Sequence, residues 1–92
     1  MTKPRYRSRL GIVVNILEVL ASGEEKPTRI MYGTNLSYDR LQRYLSNLVE
    51  MELVEEVKTE EGVRYRITRK GLEFLSEAKR IVEFMRAFGF EV

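Results

Sequence analysis

The stretch TRIMYGTNLSYDRLQRYLSNL, residues 28–48, places a GTN turn between two segments that are both predicted to be helical. Thr28 is predicted to cap the first segment and Gly33 to end it in the left-handed conformation, so this helix is little more than one turn long. The hydroxyl of Ser37 can accept a backbone hydrogen bond and start a second helix, which runs to about Met51. A short helix, a turn and a longer helix form a helix-turn-helix unit, and we refer to the longer one as the recognition helix.

The recognition helix has one apolar and one polar face. At about 100° per residue, Leu41, Leu45 and Leu48 form a stripe that is predicted to be buried. Tyr38 and Tyr44 lie at its edges, where packing is the simpler role for both, although Tyr38 in the first turn could also contact a phosphate. The opposite arc carries charged and polar side chains: Asp39, Arg40, Gln42, Arg43, Ser46 and Asn47. Arg, Gln and Asn form bidentate hydrogen bonds with base edges, but an ordinary solvated face has the same composition.

A helical pattern precedes this unit, and an alternating pattern follows it. SRLGIVVNILEVLASG, residues 8–23, has apolar residues spaced by three and four, with Ser8 as the predicted cap. LVEEVKTEEGVRYRIT, residues 53–68, alternates and predicts two strands around a turn. We expect a three-residue loop, residues 60–62, which places Val57 opposite Tyr65; a four-residue loop would place Val57 opposite Arg64 instead. Thr68 is predicted to cap a final helix of about 20 residues.

The final helix, RKGLEFLSEAKRIVEFMRAF, carries two apolar stripes side by side. The first is predicted to close the core of the domain: Leu72, Leu75, the aliphatic stem of Lys79 and Val82. The second has heptad spacing and is predicted to pack against a second copy of the chain: Phe74, Ala78, Ile81, Met85 and Phe88. One domain of 92 residues cannot cover both stripes. The alternative is that the helix folds back on the first helix of its own chain.

The order helix, short helix, turn, helix, hairpin, helix predicts a mostly helical α+β fold, the winged helix-turn-helix. We assign residues 1–70 to a DNA-binding domain with a basic N-terminal arm and residues 71–92 to a dimerisation helix. A protein-interaction module built on the same fold, without direct readout of DNA, is the alternative function. A steep dependence of affinity on salt would separate DNA binding from an apolar docking surface.

A family resemblance supports this interpretation. TRIMYGTNLSY followed by RYL resembles the corresponding segment of the small crenarchaeal winged-helix chromatin proteins, which join a winged helix to a C-terminal helix that pairs as an antiparallel coiled coil. YRITRKGLEFL after the wing is shared more widely among winged-helix proteins. The resemblance covers residues 8–80 and implies a homodimeric archaeal protein that binds double-stranded DNA, as a chromatin protein or transcription regulator. The wing is longer here and its tip, Glu60 and Glu61, is acidic, which argues against phosphate contact by the tip; the final helix is also shorter.

Basic residues outside the polar arc complete the predicted DNA-binding surface. An N-terminal arm free of acidic residues could follow a backbone, enter a minor groove, or be a disordered tail: Lys3, Arg5, Arg7 and Arg9. Lys26 and Arg29 flank the start of the short helix, where backbone N–H groups point outward. Arg64, near the wing tip, is assigned a supporting phosphate contact. The predicted set is Ser37, Tyr38, Asp39, Arg40, Gln42, Arg43, Ser46, Asn47, Arg29, Lys26, Arg64, Arg5 and Arg7.

Composition excludes several classes of function. The chain has no Cys and no His, and Asp39 is its only Asp. The remaining candidates, Glu, Lys and Tyr, form no recognisable catalytic motif, so we predict neither enzyme activity nor a cofactor. The Glu residues around the wing could bind a cation only weakly, and we predict no metal site. No apolar run approaches the roughly 18 residues of a membrane span, and no signal peptide is predicted. We expect a cytoplasmic, nucleoid-associated protein; its ion-pair-rich composition is typical of a thermophile. Whether a small-molecule effector binds at the dimer seam stays open.

Overall fold

The computed structural model describes residues 6–92, which form four helices and a two-stranded antiparallel hairpin. In chain order these are α1 (Arg9–Ala21), α2 (Pro27–Thr34), α3 (Tyr38–Glu50), β1 (Val54–Thr59), β2 (Gly62–Ile67) and α4 (Arg69–Ala87). The predicted winged helix-turn-helix order is confirmed, with α3 as the recognition helix and the hairpin as the wing. Lys3 and Arg5 of the predicted arm lie outside the described residues.

Hydroxyl side chains begin α1, α3 and α4, as predicted. The oxygens of Ser8, Ser37 and Thr68 each accept a hydrogen bond from the backbone N–H three residues later, at 2.9, 3.3 and 2.9 Å. Each bond satisfies a donor that has no partner within the helix. The Thr68 hydroxyl also donates to the carbonyl of Glu52 at 2.7 Å, which ties the start of α4 to the loop after α3.

The ends of α2 differ from the prediction. Thr28 lies inside the first turn, because Lys26 holds the N-cap position and a proline, which suits the first helical position, follows it. At the other end Asn35, with φ at 56°, takes the left-handed conformation that was predicted for Gly33. Gly33 instead permits close packing, because a Cβ there would lie 3.0 Å from Cγ2 of Val19 in α1.

The core lies where α1, α2, α3, the base of the wing and the inner face of α4 meet. The predicted stripe of α3 is buried, with Leu41 and Leu45 inaccessible to solvent and Leu48 nearly so. The largest fully buried side chains are Ile16, Leu17, Ile30, Leu41, Leu45, Leu48, Val14 and Val54. Burial of each is worth about 1.5–3 kcal/mol, so this cluster fixes the orientation of α3 and its polar face.

The register of the wing differs from the predicted three-residue loop. Thr59 pairs with Gly62, which leaves a two-residue loop, and Val57 lies opposite Arg64 instead of Tyr65. The Thr59 hydroxyl closes the loop by donating to the carbonyl of Gly62 at 2.8 Å and accepting from the N–H of Glu61 at 3.2 Å. Gly62 has φ at 121°, a conformation that favours glycine.

Contacts with the body of the domain decide this register. The ring of Tyr65 is buried, and its backbone N–H donates to the carbonyl of Glu25 in the loop between α1 and α2 at 2.9 Å. The face of β2 that carries Tyr65 therefore packs inward, together with Val54 of β1. Val57 falls on the opposite face, so matching apolar residues within the hairpin gave the wrong pairing.

Helix α4 packs on α1 of its own chain through a stripe that differs from the predicted one. Its buried residues are Gly71, Leu75, Ala78 and Val82, whereas Leu72 is 48% exposed. A Cβ at Gly71 would collide with the carbonyl oxygen of Leu53 and lie 2.7 Å from Cγ1 of Ile67. Close approach at Gly71 rotates the helix so that Leu72 points outward, which corrects its assignment to the core.

Candidate nucleic-acid interface

The polar arc of α3 faces solvent except at Gln42. Exposed residues are Ser37, Tyr38, Asp39, Arg40, Arg43, Ser46 and Asn47. Gln42 is half-buried, and the hydroxyl of Tyr65 lies 3.5 Å from its Oε1 atom, a long contact that directs Gln42 toward the wing. The structure therefore separates Gln42 from the arc on which the sequence placed it.

The N-terminal segment meets α3 and forms a basic cleft with it. This cleft has a volume of about 340 Å³, and its lining contains four arginines. The lining residues are Arg7, Arg9, Ile12, Arg40, Arg43, Tyr44 and Asn47. We call this the arginine cleft. Two surfaces that the sequence left separate, the arm and the recognition helix, are thus joined.

Few carboxylates neutralise the arginine cleft. Arg7 lies 3.6 Å from Glu91, and both side chains are largely exposed, so this ion pair is weak. Within residues 6–92 no carboxylate lies within 4.0 Å of Arg9, Arg40 or Arg43. The cleft is consequently a concentration of positive charge on a chain whose net charge is only +2.

Tyr6, which directly precedes Arg7 of the cleft, anchors the arm to α1 and α4. Its hydroxyl donates to Oε1 of Glu18 at 2.7 Å, and the guanidinium of Arg86 lies 4.7 Å from its ring centroid, over the ring. Burial raises the pKa of Tyr6 to about 12, and the hydrogen bond and negative charge of Glu18 act in the same direction. Gly11 leaves room for the ring, since a Cβ there would lie 3.0 Å from Cδ1 of Tyr6.

The remaining predicted basic residues lie away from the cleft. Lys26 and Arg29 are exposed at the start of α2. Arg64 is engaged at the wing tip, where its guanidinium lies 3.3 Å from Oε2 of Glu61 and donates to the carbonyl of Val63 at 3.1 Å. Glu61 of the acidic wing tip thus pairs with Arg64, the residue to which the sequence assigned a phosphate contact.

Arg9 and Ile12 line the cleft but were not among the predicted site residues. Arg9 belongs to the alternating basic arm, and it is also the first residue of α1. Because α1 starts at Arg9, the three-residue spacing between Arg9 and Ile12 places both side chains on one face of the helix. The signal in the sequence was the continuation of the basic pattern directly into a helix after the Ser8 cap.

An apolar stripe remains exposed on α4. Ile81 is 52% and Phe88 69% exposed, Phe74 and Phe84 are exposed as well, and Met85 is half-buried. The rings of Phe84 and Phe88 pack with centroids 4.9 Å apart. Ala78, which the sequence assigned to the same surface, is 4% exposed because it packs in its own core, so a partner could not reach it. Phe84 takes its place in the stripe.

Residues 6–92 contain neither a group of metal ligands nor a membrane-spanning helix. No group of three or more carboxylates is arranged to hold a metal ion in this part of the chain. Across the same residues, no helix combines the length and the apolar character that crossing a bilayer requires.

A family model described as winged helix-turn-helix matches residues 6–86. The chain belongs to the winged helix-turn-helix family. Among relatives, this winged helix-turn-helix protein is 27% identical over 84 residues to an uncharacterized protein of Methanocaldococcus jannaschii, covering 90% of this chain and 82% of the relative. A second uncharacterized protein of that organism is 32% identical over 79 residues, and the match spans 83% of this chain but only 36% of that protein.

Solved structures share the fold. Sso10a-2, a DNA-binding protein from Sulfolobus solfataricus, superimposes with a TM-score of 0.82 at 23% identity, covering 89% of this chain and 85% of that one. The transcriptional regulator BldR from Sulfolobus solfataricus gives a TM-score of 0.74 at 17% identity, covering 80% of this chain and 55% of that one. MarR from E. coli gives a TM-score of 0.71 at 20% identity, and the match covers 79% of this chain and 54% of MarR. This chain spans about half the length of the latter two.

Proposed function

We propose that this protein binds double-stranded DNA as a homodimer and acts as a transcription regulator or as a chromatin protein that coats DNA. The observation that carries the proposal is the continuous basic surface of α3 and the arm, where Arg9, Arg40 and Arg43 have no carboxylate partner in the described part of the chain. Sso10a-2 is described as a DNA-binding protein and BldR as a transcriptional regulator, and both have this fold.

In the proposed complex, α3 enters the major groove with its exposed arc toward the base edges. Arg43 is the best candidate for a bidentate contact with guanine, because its fork is exposed and unpaired in the described structure. Lys26 and Arg29 at the start of α2 would bind phosphates on the flank, as the first helix of such units crosses the backbone. Gln42 faces the wing and takes no part.

The exposed stripe of α4 supports the homodimer. Phe74, Ile81, Phe84 and Phe88 together form an apolar surface of the kind that monomeric proteins rarely leave in water. A two-fold pair of such helices would bury the same stripe on both copies. Residues 71–92 then join two DNA-binding units of residues 1–70, and linkage strengthens binding because the second unit associates intramolecularly.

A binding titration tests this function. The wild-type chain is titrated against random duplex and against selected genomic fragments at two salt concentrations. We expect the logarithm of affinity to fall linearly with the logarithm of salt concentration. Equal affinity for both pools favours a chromatin role at the nucleoid, and preference for a subset favours a regulator. Affinity that is independent of salt, or absence of binding, contradicts the proposal and favours a protein-interaction module.

A further inference from the structure

The arginine cleft brings like charges together from two separate segments. Arg7 and Arg9 come from the arm and the first turn of α1, while Arg40 and Arg43 come from successive turns of α3. Of these, Arg9, Arg40 and Arg43 have no carboxylate partner within residues 6–92, and guanidinium groups gathered in this way repel one another, so a bound anion would lower the free energy of the folded chain. Two neutral residues on the same wall, Tyr44 and Asn47, add side-chain donors to the four arginines.

We propose that the arginine cleft binds a tetrahedral phosphate group between Arg9 and Arg40. The planar guanidinium fork matches phosphate oxygens in a bidentate way that a lysine cannot reproduce. The volume of about 340 Å³ is at the lower end of the range for small-molecule sites, roughly 300–1,000 Å³, so a phosphate with its attached sugar fits. Ile12 supplies an apolar wall for such a sugar.

The assignment of this phosphate to the DNA backbone rests on the proposed function. A backbone phosphate held between α1 and α3 would fix the depth and angle at which α3 lies in the groove, since phosphate contacts set register rather than sequence. Arg9 then contributes equally to the affinity for every DNA sequence. A free phosphate-containing ligand has the same chemistry, and the test below distinguishes the two sources.

The test compares Arg9→Ala, Arg40→Ala, the double variant and Arg80→Ala. Arg80→Ala is the matched control, because it removes one exposed positive charge from α4 and Arg80 does not line the cleft. The first measurement is the melting temperature with inorganic phosphate or with chloride at equal ionic strength. If the cleft binds phosphate, phosphate should raise the melting temperature of the wild type and of the control by mass action. The Arg9→Ala and Arg40→Ala variants should lose this shift in melting temperature. Arg40→Lys should retain only part of it, because the charge remains and the fork is lost.

The second measurement is the affinity of the same variants for a short random-sequence duplex over a salt series. Each single variant should bind about tenfold more weakly, with a salt slope smaller by about one. The double variant should lose less than the product of the two single losses, because both side chains serve one phosphate. Far-ultraviolet circular dichroism checks folding, and Arg9→Gln replaces Arg9→Ala if the latter is unfolded.

The outcomes separate the two proposals. A phosphate-dependent shift that is equal in the wild type and in all variants overturns the cleft as a phosphate site. A shift lost in the variants together with unchanged duplex affinity overturns the DNA backbone as the source and supports a free ligand. If the wild type fails to bind duplex while the phosphate shift depends on Arg9 and Arg40, the DNA-binding function fails and the phosphate site stands.

Discussion

The hydroxyl of Tyr6 donates a 2.7 Å hydrogen bond to Oε1 of Glu18 and so ties the N-terminal segment to the middle of α1. The other carboxylate oxygen of Glu18 lies 3.5 Å from Nζ of Lys79 in α4. Arg86, also in α4, lies over the ring of Tyr6 and donates to the carbonyl of Val92 at 2.8 Å. One cluster thus connects the arm, α1 and α4, so the position of Arg7 beside α3 depends on the helix that we assign to dimerisation.

Tyr6→Phe should make the stability less sensitive to alkaline pH. The pKa of Tyr6 is raised from 10.0 to about 12 in the folded chain, so between these values the unfolded chain loses its proton first. The stabilisation from the neutral hydroxyl is complete below pH 10 and is lost as pH rises toward 12. Chemical denaturation over this range should show the stability difference between wild type and Tyr6→Phe shrinking. Tyr65 is present in both proteins, so its titration does not affect the difference in stability. A stability difference that stays constant from pH 10 to 12 would contradict the role of the Tyr6 hydroxyl.

Arg43→Ala should weaken DNA binding by roughly 1–3 kcal/mol and relax any sequence preference, because a bidentate base contact is lost. Arg43 is exposed on α3, so the fold should be unchanged. The measurement is competition between selected and random duplexes, with Arg9→Ala as the comparison that should weaken both duplexes alike. Unaltered affinity in a folded Arg43→Ala protein would exclude this face of α3 from the interface.

Ile81→Glu combined with Phe88→Glu should convert the proposed dimer to a monomer. Both side chains are more than half exposed in the isolated chain, and burial of a charge at a paired interface is unfavourable. Equilibrium sedimentation measures the mass, and DNA affinity should fall because two linked units become one. Leu72→Glu with Ser76→Glu is the control, since both lie exposed on another side of α4. A wild-type chain that sediments as a monomer at micromolar concentration refutes the dimer.

Gly71→Ala should destabilise the fold by about 1–3 kcal/mol, the typical cost of inserting a methyl group into a packed contact. The added Cβ would collide with the backbone carbonyl of Leu53, which cannot rotate away as a flexible side chain would. Urea denaturation gives the free energy of unfolding. Ser76→Ala, at an exposed position of the same helix, should leave it within about 0.5 kcal/mol of the wild type. Equal stability of the two variants would show that α4 tolerates a shift away from Leu53.

Local chemistry made part of the fold predictable. Ser8, Ser37 and Thr68 cap their helices through bonds that span only three residues, so the sequence alone contains both partners. The buried stripe of α3 follows from the helical period in the same way, and the order of elements then identifies the fold. The exposed arc of α3 was predictable too, apart from Gln42.

Partners distant in sequence decided the rest. The wing register depends on the bond between Tyr65 and the carbonyl of Glu25, and the rotation of α4 depends on the approach of Gly71 to Leu53. In the arginine cleft, Tyr6 holds the arm, and with it Arg7, against α1 and α4, while α1 itself positions Arg9, so that both arginines line one cleft with Arg40 of α3. Periodicity specifies which face of an element is apolar, but the packing of complete elements selects which side chains of different segments meet.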